Sequence, residues 1–409
     1  MEKALNKFIN NKRSYIIDLT KRLVEIPTVN PPGENYERLI DVLERELKKI
    51  SLATKRIETP RSVLKKHGVT GGSSRISLIA DWRTGSRKTL HINGHYDVVP
   101  ASGKWRRPPF KPILKNDKLY GRGAEDMKGT IVAMIVAVSA LKSTNCLPRV
   151  NIQLSFTPDE EIGGKTGFGW LVKENKIKAD FGLTEGCTTR FVSCGNKGIL
   201  WAKVICLGKT AHGSMPHRGV NSFDAMLDVS NELKKLDKKL KKRKTKFNSS
   251  SERDRFSTMV LGGEVKGGEK VNCVSSQTSF SIDRRLIPEE NIISAKQEIK
   301  KAIMISARRN KDHRFKLEIL AQDSPVFVDP QEKICRAIGG AVKKVFKKNA
   351  HFLLLPGGTD VRYLIKKGIP SVGYSARGGE SWHSDNEFVR ISGIMDAAKV
   401  YAFTILDLG

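Results

Sequence analysis

The chain reads HINGHYD at residues 91–97 and GRGAEDMKG at 121–129. If the first run ends a strand, His95 and Asp97 lie two residues apart and leave it on the same face. Ligands in open α/β sheets gather at the carboxyl ends of strands. An imidazole there suits zinc or cobalt, with the neighbouring carboxylate holding the other ring N–H and so fixing the tautomer. A buried His–Asp hydrogen bond with no metal would satisfy the same two residues. Asp126 stands among three glycines, just before a long apolar run. Its two oxygens can bridge a pair of cations, or the side chain can cap the helix expected from Met127. FTPDEEIGG (156–164) breaks a strand at Pro158 and delivers Asp159, Glu160 and Glu161 in succession. Adjacent carboxylates repel one another unless cations or protons neutralise them. One glutamate would then bind metal while its neighbour takes a proton from water, the other reading being a solvated acidic turn. Glu185 in GLTEGC and His383 in ESWHSDNEFV complete the candidates. A lone loop histidine usually binds nothing. The ordered set of HxD, glycine-bracketed Asp, Glu-Glu pair, single Glu and late His, each at a predicted strand end, points instead to a two-metal hydrolytic centre.

Such side chains need a sheet to aim them. Up to about residue 180, helices alternate with short apolar strands, as an α/β sandwich requires. Strands are expected at 76–82, 89–99 and 150–156, and helices at 36–50 and 127–142. Between about 199 and 322 the order changes to strand, helix, strand, strand, helix, strand, a compact α+β unit of small-domain size. Alternation then resumes to the C-terminus. The architecture expected is a catalytic α/β domain with a mixed sheet (1–197 and 324–409), interrupted by an inserted α+β, ferredoxin-like domain (198–323). A hinge is expected where the two join.

At 409 residues the chain exceeds one ordinary core. Its 73 Lys+Arg against 43 Asp+Glu give a net charge of +30, which raises the question of nucleic acid. The basic residues are spread throughout, and the one dense run, KKLDKKLKKRKTKF (234–247), reads as the solvated face and end of a helix. No recognition helix or aromatic–basic RNA motif accompanies it, so a nucleic-acid partner is not expected. A cationic surface also steers anionic substrates. The six cysteines form no CxxC pair, which argues for reduced thiols in the cytoplasm. The longest apolar stretch, IVAMIVAVSAL (131–141), is too short to span a bilayer, and no signal-like segment opens the chain.

GHYDVVP (94–100), the segment from Trp105 to Phe110 followed by LYGRGAEDMKG, then TPDEE (157–161), GKTAHGSMPHRGVN (208–221) and WHSDNE (382–387) together resemble the M20 metallopeptidase family. The resemblance is to its acetylornithine deacetylase and succinyl-diaminopimelate desuccinylase branch, and it runs from about Val24 to Val389. It implies that His95, Asp126, Glu161, Glu185 and His383 bind two divalent ions, zinc or cobalt, with Asp126 bridging, Glu160 as general base and a cis peptide between Asp126 and Met127. It implies a homodimer through the inserted domain, which would serve as lid and dimerisation unit, with His212 reaching into the partner subunit's site to stabilise the developing oxyanion; His217 reads as structural. Asn272 and Arg284 match positions that contact substrate, a guanidinium there gripping a carboxylate in bidentate fashion, with a plain ion pair as the other reading of Arg284. Gly357, Gly358 and Thr359 resemble a loop whose backbone N–H groups hold an anionic acyl tail. That tilts the expected reaction toward N-succinyl-diaminopimelate hydrolysis, with acetylornithine, other N-acyl amino acids and dipeptides as alternatives of the same chemistry. Trp382 departs from the small residue usual beside His383 and would narrow the pocket.

Overall fold

The computed structural model describes residues 1–409 and divides them into two compact units. The first comprises Met1–Gly195, Val328–Leu353 and Thr359–Gly409, and the second Asn196–Phe327 with Leu354–Gly358.

The first unit is built on a mixed sheet. Its strands lie in the order Ala53–Glu58, Ile76–Trp82, Asn151–Thr157, Thr89–His95, Phe181–Cys187, Ser371–Tyr374 and Phe191–Asn196. The two outer strands on the first side run antiparallel to their neighbours. Thr89–His95 is parallel to both strands beside it, and Ser371–Tyr374 continues the parallel run. Every residue of Thr89–His95 and Asn151–Thr157 is buried, as expected of parallel strands covered on both faces. Four neighbouring strands therefore open their carboxyl ends at one edge, with His95 in register opposite Thr157. The chain leaves that edge into Tyr96–Asp97, Pro158–Glu161, the end of the Glu185 strand, and the long irregular stretch that carries His383.

The helix Gly129–Ser143 is apolar all round and buried except at Ser139, Lys142 and Ser143. A helix of that kind belongs inside a core. It packs against Ile391–Asp407, which in turn packs on Lys333–Phe346. A separate three-stranded sheet joins Ile113–Lys115, Lys118–Tyr120 and Phe388–Arg390. Its pairing of Phe388 with Tyr120 sets the loop that ends at Asp126 beside the loop that holds His383. No helix is long and apolar enough to cross a membrane, and all six cysteines are free.

In the second unit an antiparallel sheet runs in the order Thr258–Gly267, Gln277–Leu286, Gly198–Leu207, Arg314–Asp323. In chain order that is second, third, first, fourth, the arrangement of a split β-α-β unit. Alternate residues Leu200, Ala202, Val204 and Cys206 face inward with Phe280 and Ile282. The helices Ser222–Leu240 and Ile292–Arg309 pack on one another and close this core. Asn221 and Asn291 cap them through their side chains.

Truncating a side chain at the centre of the buried helix leaves a cavity that its neighbours cannot fill. Ile135→Ala is expected to destabilise the first unit by about 2–5 kcal/mol, read as a shift of the denaturant midpoint; a change near zero would contradict the placement of this helix.

Candidate metal centre

His95 ends its strand fully buried, with Nε2 2.9 Å from Asp126 Oδ1. Its other nitrogen, Nδ1, lies 3.1 Å from the Asp97 carbonyl and 3.6 Å from the Asp97 carboxylate. The ring is thus oriented by the backbone of Asp97 more closely than by the side chain the sequence reading assigned. The Asp97 carboxylate instead accepts from the backbone N–H groups of Glu160 and Glu161, at 3.2 Å each, and from Asn30 Nδ2 at 2.9 Å. It anchors the turn that carries both glutamates.

Asp126 does not cap a helix. Its φ/ψ and those of Met127 are non-helical, the bond between them is cis, and the regular helix begins at Gly129. Its second oxygen, Oδ2, lies 3.5 Å from His383 Nε2, which is also 3.0 Å from Glu161 Oε2. One carboxylate thus faces a histidine with each oxygen. Asp126, Glu161 and His383 form one group able to hold an ion, and Glu160, Glu185 and Asp360 form a second. Glu185 Oε1 accepts from the backbone N–H of Asp360, while Glu185 Oε2 and Asp360 Oδ1 are buried with no partner.

These side chains carry more negative charge than a buried place tolerates. Burial, reinforced by Glu185, Asp360 and Glu161, pushes Glu160 well above the usual carboxylate range. Burial raises Glu161, Glu185 and Asp360 as well. His95 is raised despite the opposing effect of burial, through hydrogen bonds with Asp126 and Asp97. Hydrogen bonds to Asp126 and Glu161 lift His383 to about 10. Asp126 is drawn below its ordinary value because the two histidines outweigh its burial. Protons on the imidazoles therefore stand where cations belong. The mixed N/O donor set suits zinc or cobalt, and the orphaned oxygens of Glu185 and Asp360 fit a site completed by positive charge.

A second layer holds the acidic turn. Asp159, with φ of 67°, accepts from Asn30 Nδ2, Tyr36 Oη, Arg75 Nε and Thr166 Oγ1 at 2.5–3.3 Å. Asn30 spans Asp97 and Asp159 with one amide, and Arg75 is almost wholly buried. Arg362 and Tyr363 both donate to the Gly163 carbonyl just beyond. None of Asn30, Tyr36, Arg75, Asp360 and Arg362 was singled out in the sequence. Asp360 and Arg362 directly follow the Gly357–Thr359 loop in LPGGTDVRYL (355–364), whereas Asn30, Tyr36 and Arg75 carry no local signal.

The remaining candidates are dispersed. His212 is exposed in the second unit, its Nδ1 2.7 Å from Ser214 Oγ. Its strand pairs with Cys273–Val274, and Gly213 N–H donates to the Asn272 carbonyl, so His212 and Asn272 lie close together. His217 sits in an exposed turn. Arg284 corrects an expectation. Its side chain is 1% exposed, ion-paired with Glu290 at 2.9 Å and Glu298 at 2.6 Å, and donates to the Ala295 carbonyl. A guanidinium so engaged has no reach toward a small molecule. Arg285, on the other face of the strand, lines an open cavity of about 370 Å³ with Lys197, Arg253, Asp254, Thr258 and Gly357. Gly358 follows Gly357 at the end of the second unit, and Thr359 begins the return to the first, where its carbonyl accepts from Arg362. Trp382 is half exposed.

The sequence model for Peptidase family M20/M25/M40 matches residues 91–407. An uncharacterized metallohydrolase of Methanocaldococcus jannaschii is 29% identical over 410 residues, covering 94% of this chain and 97% of that protein. A probable succinyl-diaminopimelate desuccinylase of Staphylococcus epidermidis is 29% identical over 350 residues, covering 80% of this chain and 85% of its own. Among solved structures, an M20 family metallo-carboxypeptidase from Sulfolobus solfataricus superposes with a TM-score of 0.74 at 22% identity, over 96% of this chain and 99% of that one.

A metal ligand must be a neutral imidazole, yet in the metal-free protein His383 keeps its proton up to about pH 10. Its contribution to metal-free stability is complete below its ordinary 6.5 and is lost as the pH rises through about 10. Zinc binding at pH 8 should therefore release protons, and affinity should climb with pH toward 10. Calorimetric titration in two buffers of different ionisation enthalpy checks this; identical heats in both would refute it.

Proposed function

The chain belongs to peptidase family M20/M25/M40, a family of metal-dependent hydrolases of amide bonds, and from that premise we propose that it removes an N-acyl group from an amino acid, with N-succinyl-diaminopimelate as the leading substrate. The observation that carries the chemistry is the Asp126 carboxylate set between His95 and His383, 2.9 and 3.5 Å away. His95, Asp126 and Glu185 would hold one divalent ion, and Asp126, Glu161 and His383 a second. When bound there, such ions polarise a carbonyl and make a hydroxide available near neutral pH.

The chain's own residues do the rest. Glu160 is buried, and burial together with Glu185, Asp360 and Glu161 raises its affinity for a proton. It takes the proton of the attacking water and passes it to the leaving amine. Asp97 fixes both glutamates by their backbone N–H groups, so that Glu160 serves as base while Glu161 stays a ligand. His212, exposed beside Asn272 in the second unit, is free to act on a partner subunit's substrate, which supports a homodimer with His212 as oxyanion donor.

The substrate preference rests on the cavity in the second unit. Lys197, Arg253 and Arg285 outnumber the single carboxylate of Asp254 there, beside the backbone of Gly357. Asp283 holds Arg285 in bidentate fashion at 2.8 and 3.0 Å, which aims it. A carboxylate is the ligand such a pocket favours, and the desuccinylase name borne by the Staphylococcus epidermidis relative agrees with a succinyl tail. The second reading, a carboxypeptidase or dipeptidase, uses the same pocket for the C-terminal carboxylate of a peptide.

N-succinyl-diaminopimelate, N-acetylornithine, neutral N-acyl amino acids and dipeptides, each assayed with zinc and with cobalt, separate the readings. The succinyl substrate is expected to give the highest kcat/KM, and a dipeptide in first place would establish the peptidase instead. Glu160→Gln should retain both ions by elemental analysis and lose roughly 10²–10⁴ in kcat; full turnover in that variant would refute the assignment of the base. Arg285→Ala should raise KM for dicarboxylate substrates roughly ten- to hundredfold, the worth of a hydrogen bond to a charged group, with little change for neutral ones.

A further inference from the structure

Two of the metal ligands stand on irregular chain. Asp126 follows the strand Lys118–Tyr120, and His383 precedes Phe388–Arg390 in a stretch where Glu380, His383 and Asn386 all take positive φ. Pairing of the two strands brings the loops alongside one another. It leaves open what aims the carboxylate and the imidazole.

Two buried glutamates clamp the loops reciprocally. Glu387, from the His383 loop, accepts at Oε1 from the backbone N–H of Glu125 at 2.9 Å and of Asp126 at 3.2 Å. Glu125, from the Asp126 loop, accepts from the backbone N–H of Glu380 at 3.0 Å and of Ser381 at 2.8 Å, and from Ser381 Oγ at 2.7 Å. Each carboxylate therefore grips the backbone next to the ligand of the other loop. Arg122 locks the pair. Its Nη1 lies 2.7 Å from Glu387 Oε2 and also donates to the Ser384 carbonyl at 3.3 Å, while Nη2 donates to the carbonyls of His383 at 3.3 Å and Pro100 at 3.4 Å. Both partners of that ion pair are 1% exposed, and the Trp105 ring lies against the guanidinium.

We propose that the Arg122–Glu387 pair, together with Glu125, is the positioning device of the Asp126–Glu161–His383 ion site, setting the affinity for that ion rather than taking part in the reaction. The proposal rests on the two-ion reading above. Neither side chain belongs to the group of Asp126, Glu161 and His383, and their contacts are with the backbone of Asp126 and His383, through which their effect passes. Partners of this kind typically control metal affinity by ten- to a hundredfold. The other site shares Asp126 but takes His95 and Glu185 from strands of the central sheet that the clamp does not touch, so it loses less when the clamp fails.

The test uses the full chain stripped of metal, in wild type, Glu387→Gln and the double variant Arg122→Gln/Glu387→Gln. Zinc is titrated calorimetrically and cobalt by visible absorption. Wild type should bind two ions, and Glu387→Gln should weaken one of them at least tenfold more than the other. Hydrolysis in the variant should recover at excess zinc, which a general loss of folding would not allow. If burying an unpaired guanidinium prevents Glu387→Gln from folding, the double variant leaves no such charge and gives the same reading. A folded variant that holds both ions as tightly as wild type, or loses both alike, overturns the clamp and leaves the two-ion reading standing. A wild type that binds fewer than two ions overturns both.

Discussion

Six carboxylates and two imidazoles converge at the open edge of one sheet, and most of them are shielded from water. That concentration of negative charge is the constraint on which the surrounding structure depends. Buried acids in such proximity persist only when something positive separates them. In the metal-free chain the same crowding raises the proton affinity of His95, His383, Glu160, Glu185 and Asp360. The same features that make the site costly to fold without metal make it avid for divalent ions, because binding energy for the folded state is also stabilisation of that state.

The scaffold meets this cost in two ways. Parallel strands deliver His95, Glu185 and the Glu160–Glu161 turn from rigid positions; the backbone N–H groups of that turn tie it to Asp97, and the Asp360 N–H takes Glu185 Oε1 and leaves Oε2 free. Where strands do not reach, buried ion pairs take over: Arg75 with Asp159 beneath the acidic turn, and Arg122 with Glu387 between the two ligand loops. Burying such pairs adds little net stability, since desolvation offsets most of the attraction. Their value lies in geometry, because a guanidinium with several fixed donors determines where neighbouring carbonyls and carboxylates lie.

Much of this was legible in the sequence. The order of the candidate side chains, the strands that carry them and the β-α-β-β-α-β run of the second unit follow from periodicity and residue type, while their division into ligands and base is what the family resemblance implies. The supporting layer was not, because Asn30, Tyr36 and Arg75 reach Asp159 through contacts distant in the chain, and nothing local marks them. Arg284 is a different case. In FSIDRRL the residues Phe280, Ile282, Arg284 and Leu286 share one face of the strand, and three of the four are apolar. Strand alternation alone placed Arg284 toward the core and Arg285 away from it.

The net charge of +30 looks at first unrelated to an acidic centre. In the lysine-rich run part of it is neutralised locally: Lys235 pairs with Glu232, Lys241 with Asp237, and Arg243 with Glu290 and Glu298. Lys234, Lys238, Lys239 and Lys242 remain exposed to water. Exposed cations of this kind contribute almost nothing to stability, and salt screens them within about 10 Å. What they do change is the potential that an approaching anion meets. A substrate bearing carboxylates is drawn toward a cationic molecule even though the reacting centre, before it takes up metal, would repel it. The basic surface and the acidic site therefore act together on an anion once the acidic site is filled. Divalent ions cancel the local repulsion, and the long-range field then acts in the direction that favours capture.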